Sequence, residues 1–238
     1  MKNLAPTASS TDLQGPLDVA AFPDTLSASV VSPGARPRIH GYDVQADLAR
    51  HYSPTDLLFL TLTGDLPSAE VSAALGVALS FVAPVSVAHA AVHATVLARV
   101  CGTTVASTIG VAATGLAEQA RLLLDEHAEL LSWLGTQGPT LPSAWIANDA
   151  AERAASARLN DAIAETGFAL AELRQTPTLD AALLIVLHRC GLKERSQLET
   201  AIVTARLPCA MAEAMQVKVA DFNAYPTNLP RYRYSEPA

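Results

Sequence analysis

Asp180 and Arg206 lie 26 positions apart in the last third of a 238-residue chain, and their settings bear most directly on chemistry. Asp180 follows Thr178 at what reads as a helix start, where an acid is favoured by the helix dipole. Arg206 falls in a helix interior, where pairing with a neighbouring carboxylate is an ordinary role for a cation. His89 and His93 are four apart on one helical face, a spacing that metal ligands use. No acidic residue lies nearby to complete such a site, so they read as core or interface histidines and no metal is expected. Cys101, Cys190 and Cys209 form an odd set with no CxxC spacing. They suggest neither a disulfide framework nor a thiolate metal site, and the expected compartment is reducing and cytoplasmic.

These residues must be positioned by helices. Half of the residues are apolar and only 16% are charged, with 16 Lys+Arg against 23 Asp+Glu for a net charge of −7. Such a composition buries a substantial core, which excludes a disordered, collagen-like or disulfide-stapled chain. The acidic balance and the lack of a basic cluster argue against nucleic acid as a partner. Helical periodicity predicts segments over 54–63, 69–81, 85–100, 103–113, 116–134, 149–173, 179–190 and 196–215, with breaks at Pro84, Gly102, the 135–142 stretch, Pro177 and Gly191. Ser53 and Ser68 are the expected N-caps of the first two. The one strand-like piece, Thr25 to Val31, alternates in a way that forms a short hairpin with Pro37 to His40 across Ser32-Pro33-Gly34. The fold class expected is therefore all-α with a small N-terminal β element.

Residues 1–24 read as a loose N-terminal arm, 25–220 as the helical domain and 221–238 as an extended C-terminal arm. In the last, Tyr232 and Tyr234 alternate with Arg231 and Arg233, as in an arm lying on a partner subunit or in a flexible end. Between Glu70 and Glu118 the single charged residue is Arg99, which raises the question of a membrane span. The stretch is built from Ala, Ser, Thr, Gly and Val, with few of the larger side chains that favour lipid, so a buried helical layer shared between two subunits is the expectation.

Two groups of residues carry a family resemblance. Arg38-Ile39-His40-Gly41-Tyr42-Asp43, then Asp47-Leu48, then the leucine-rich run ending in Gly64-Asp65-Leu66-Pro67, match an R-G-Y-x-x-x-D-L stretch and a helix ending in G-E-L-P. Thr178-Leu179-Asp180-Ala181-Ala182-Leu183 matches N-V-D-x-x-x-G, and Ala205-Arg206-Leu207-Pro208 matches A-R-x-P. In these the chain resembles the citrate synthase superfamily, its shorter citryl-CoA lyase-like members above all. The resemblance implies a helical fold paired as a dimer through its central helices. It also implies carbon–carbon bond chemistry on a CoA thioester, with Asp180 in the place of the base and Arg206 in that of a carboxylate clamp. No cofactor is implied beyond a CoA thioester as substrate.

The middle of the chain departs from that pattern. Thr114, in Ala113-Thr114-Gly115-Leu116-Ala117, stands where the family places the histidine that donates to the enolate oxygen, and no histidine occurs between His93 and His127. Pro142-Ser143-Ala144-Trp145-Ile146 lacks the glycines and histidine of P-G-x-G-H, and Trp145 with Ile146 is expected to fill the volume a thioester enters. His40 replaces the arginine of R-G-Y, Asp149 to Arg153 only echoes D-P-R, and Glu213 replaces another histidine. Loss of one enolate donor costs on the order of 10² to 10³ in rate. The expectation is a catalytically impaired homologue that binds a ligand or serves as a regulatory or structural subunit. Its partner would be a second copy or a catalytic relative. A di- or tricarboxylate would be held by Arg206 with His40 and Arg153. The alternative is a divergent citryl-CoA lyase or citrate synthase-type acyltransferase, with Asp180 as base and Thr114 or His89 as the oxygen-stabilising donor.

Overall fold

The computed structural model describes residues 25–136, 140–218 and Arg233. The N-terminal arm, and all of the C-terminal arm except Arg233, lie outside the described residues.

The chain enters through three short antiparallel strands, β1 (Val31–Ser32), β2 (Arg38–Ile39) and β3 (Tyr42–Asp43), in which Val31 pairs with Ile39 and Ile39 with Tyr42. The expected hairpin is reduced to two pairs: of the strand expected over 25–31 only Val31 belongs to β1, Ser32, expected in the turn, pairs with Arg38, and a third strand extends the sheet. The β2–β3 turn is His40-Gly41, with φ of +46° and +87°. A two-residue loop of this hand matches the twist of its strands, though only glycine adopts such angles freely. A π-helical turn, Val44–Leu48, runs into α1 (Ala49–His51).

Helix α2 (Pro54–Thr63) begins with a capping box. Ser53 Oγ accepts from Asp56 N–H, the Asp56 carboxylate accepts from Ser53 N–H, and Pro54 supplies the first helical position. It stops at Gly64, which is left-handed at φ +86°. Ser68 caps α3 (Ala69–Val82), and after an irregular connector follow α4 (Ala90–Val100), α5 (Val105–Glu126) and α6 (Ala128–Thr136). Asp149 caps α7 (Ala150–Glu165), Thr178 caps α8 (Leu179–Arg189), and α9 (Arg195–Met215) completes the set.

Three expected boundaries move. The break forecast between 113 and 116 is absent, because α5 runs through Gly115 and the interruption falls at His127. The helix expected from Val85 starts at Ala90, and the one expected to reach Leu173 stops at Glu165, before Gly167 at φ +82°.

Two apolar cores organise the helices. The larger surrounds α8, whose residues Ala181 to His188 are all buried, as befits a helix apolar around its whole circumference. Around it pack α3, α6, α7, the second half of α5 and the first half of α9. The smaller core joins the α3–α4 connector to α4, the first half of α5 and the second half of α9, through Val85, Ala91, Val92, Ala112, Leu116 and Ala210. Long helices α5 and α9 thus belong to both. Where α4 crosses α5, a Cβ placed on Gly115 would lie 2.9 Å from that of Ala91. Among the described residues no helix is long and apolar enough to cross a membrane.

Candidate functional site

Asp180 and Arg206, both from the C-terminal group of resembling residues, lie near enough for the carboxylate to act on the guanidinium. Asp180 is the second residue of α8, held there by a locally determined cap: the Thr178 hydroxyl accepts from Ala181 N–H at 3.4 Å. Its side chain is exposed. Arg206 lies midway along α9, partly buried, and its Nε donates to the Val82 carbonyl oxygen at 3.2 Å. Val82 is the last residue of α3, where backbone carbonyls lack intrahelical donors, so a cation is well placed there. Burial lowers the guanidinium pKa of Arg206, and the nearby Asp180 carboxylate acts in the opposite direction. Among the described residues the bond to Val82 is the one hydrogen bond Arg206 makes, and it closes no salt bridge. A guanidinium carries five N–H donors, so most of its capacity is uncommitted.

The start of α8 is also fixed from outside. Glu152 of α7 accepts from Leu179 N–H at 3.2 Å, and the Trp145 carbonyl accepts from Thr178 N–H at 2.8 Å. Ala147 N–H donates to Thr176 O at 2.9 Å, and Ile146 bridges Pro177. Ser143–Trp145 is a single 3₁₀ turn, and the Trp145 side chain packs on the larger core. Residues 145–147 are therefore bound, backbone to backbone, to the Thr176–Thr178 segment that leads into Asp180.

The remaining expected site residues fall in three places. Arg153 is exposed, next to Glu152 at the α7–α8 junction. Thr114 and His89 sit near the α4–α5 crossing: Thr114 is exposed on α5 beside Gly115, and His89 holds the N-cap position of α4, without a side-chain capping bond, two residues before Ala91. His89 Nδ1 accepts from Ser86 N–H at 3.4 Å. His40 lies elsewhere. Its ring faces Gly64 at the far end of α2, its Nε2 is buried without a partner, and Leu62 beside Gly64 contacts α9 at Gln197. Nine residues separate Gln197 from Arg206, about 13 Å of helix. No group of three or more potential metal ligands occurs among the described residues.

Neither Val82 nor Glu152 was foreseeable as part of this arrangement. Val82 contributes a main-chain oxygen that any residue supplies, and Glu152 reads in sequence only as a residue in the first turn of the helix expected from 149.

No family model matches the chain, and no curated protein matches it. Twelve chains of solved structures do. One of these is the citryl-CoA lyase of Hydrogenobacter thermophilus, with a TM-score of 0.63 and 16% identity, covering 90% of this chain and 96% of that one. At that identity the likeness is one of fold. The architecture, helical with a small N-terminal sheet, is similar to the fold of that lyase.

Proposed function

We propose that this chain is a catalytically impaired protein of the citrate synthase fold that binds a di- or tricarboxylate at Arg206 and associates with a second copy or a catalytic relative. The observation that carries the reading is the state of Arg206. A partly buried guanidinium, oriented through one nitrogen by Val82 and influenced by Asp180 without a salt bridge, offers its other donors to a carboxylate. The oxygen-stabilising side supports impairment. Thr114 is exposed, and no histidine hydrogen-bonds to Asp180 or Arg206 among the described residues. Association is supported by α5, which exposes Val105, Ile109 and Val111.

The test is thermal unfolding of the purified chain with and without millimolar citrate, beside an assay of citryl-CoA cleavage. Stabilisation by citrate that disappears in Arg206→Ala, with no turnover, is the expected result. The exposed carboxylate of Asp180 beside a cation favours the second reading, a divergent lyase acting on a CoA thioester with Asp180 as base. Cleavage at ordinary enzyme rates that vanishes in Asp180→Ala would establish that reading and reject the first.

A further inference from the structure

Arg206 adjoins a groove on two sides. Ala205, the residue before it, and Ala83, the residue after the Val82 carbonyl that orients its Nε, both line an opening of about 310 Å³ between α2, α3 and α9. The groove therefore continues the Arg206 site toward α2. Pro54, Leu58, Leu79 and Pro208 give it apolar walls, and no charged side chain lines it. Of its hydroxyls, that of Ser80 is already committed, donating to the Gly76 carbonyl oxygen at 2.8 Å. An ionised group gains nothing from such a surface, where it would be buried without a partner, whereas methylenes gain from burial there.

Gly76 shows that packing does not account for the open space. It lies in the interior of α3, where glycine is less favourable than any residue but proline. At Gly115 a packing partner explains the glycine, since Ala91 stands where a side chain would be. At Gly76 a Cβ would meet no atom within 4 Å, the backbone is ordinary helix, and the residue lines the groove. Any helix-forming side chain would fit there and would fill part of the opening. What the glycine provides is volume, next to a guanidinium with donors to spare.

We propose that the ligand held at Arg206 is a di- or tricarboxylate bearing an apolar chain, and that the chain lies in the α2–α3–α9 groove against Gly76. This rests on the reading of Arg206 as a carboxylate site and narrows its ligand class. The two parts of the site select for different things. The guanidinium recognises a carboxylate by charge and paired hydrogen bonds, while the groove responds to chain length, each buried methylene tightening binding by about three- to fourfold.

Calorimetric titration of the full chain with citrate, succinate and 2-hexylsuccinate tests the proposal. The last two share their carboxylates and differ by the chain alone. The expected result has three parts: 2-hexylsuccinate binds about thirtyfold or more tighter than succinate, Gly76→Leu removes that advantage while succinate and citrate bind as before, and Arg206→Ala loses all three ligands. The leucine enters open space on a helix and is expected to fold; should it not, Ser80→Leu, one turn further on, fills the same groove. Equal affinities for succinate and 2-hexylsuccinate, or an advantage that survives filling of the groove, overturn the proposal and leave citrate binding at Arg206 standing. Binding of 2-hexylsuccinate that survives Arg206→Ala also overturns it, since chain and carboxylate would then not share one site. If none of the three ligands binds, the reading of Arg206 as a carboxylate site fails, and the proposal fails with it.

Discussion

Arg206 Nε and the Val82 carbonyl oxygen, 3.2 Å apart, join the middle of α9 to the last residue of α3. The bond turns a helix C-terminus into the anchor of a partly desolvated cation. If it were chiefly structural, its removal would weaken the fold. A buried cation replaced by an apolar side chain of similar length is often near neutral, because the desolvation penalty disappears with the charge. Arg206→Met is therefore expected to change unfolding free energy by less than about 1.5 kcal/mol in urea titrations, while the stabilisation by citrate disappears. A large loss of stability with the citrate response intact would reverse that assignment.

Asp56 is the opposite case, a carboxylate whose work is to hold the fold. It is 8% exposed and accepts from the Ser53 amide, the Ser53 hydroxyl and the Ser72 hydroxyl. Burial alone would raise its pKa, but these hydrogen bonds outweigh that effect and the net shift is downward from 3.8. Removing them in Asp56→Ala is expected to cost about 2–3 kcal/mol at neutral pH. A depressed carboxylate stabilises the native state fully above its unfolded value and loses that contribution as pH falls through the folded value. The gap between wild type and variant should accordingly narrow below pH 3.8, read by urea unfolding at stepped pH.

How much of this was legible in the sequence depends on the range of the determining forces. Ser53 and Ser68 cap where the sequence placed them, because a cap is decided by a few neighbouring residues. Gly115 misled, since a glycine inside a helical pattern reads as a break until the partner helix that requires it is known. The pairing of Asp180 with Arg206 was expected only through the family resemblance, because nothing in 26 residues of spacing dictates that α8 begins beside the middle of α9. His40 was grouped with Arg206 through the arginine position of R-G-Y; its ring faces Gly64, and neighbouring Leu62 bonds to α9 at Gln197, nine positions before Arg206.

His188 lends the fold a second pH dependence, with its own window. Burial lowers its imidazole pKa from 6.5, the cations Arg189 and Lys193 add to the effect, and its buried Nδ1 has no partner. The unfolded chain then binds a proton at higher pH than the folded chain does. Stability is retained above pH 6.5 and declines as pH falls from there toward the lowered folded value. His188→Leu should flatten this part of the profile, so that melting temperatures of wild type and variant diverge on acidification below 6.5. Parallel curves across that range would contradict the assignment.

Two glycines of α5 separate close packing from free surface. Gly115→Ala gains helix propensity worth about 1 kcal/mol, but its new methyl would sit 2.9 Å from Ala91 Cβ and 3.1 Å from Ala91 Cα. Overpacking of this kind costs about 1–3 kcal/mol, so net destabilisation is expected, with partial rescue by Ala91→Gly on the facing helix. Gly110 is exposed and has nothing within 4 Å, so Gly110→Ala in an isolated subunit receives the propensity gain without a clash and should raise the melting temperature. In a dimer assembled through α5 the same methyl enters the interface between copies. Stability that rises on dilution to monomer but not in the associated form would locate the contact at Gly110, beside the exposed Ile109. A gain unchanged by concentration, together with an Ile109→Asp variant that sediments as wild type does, would move the interface elsewhere.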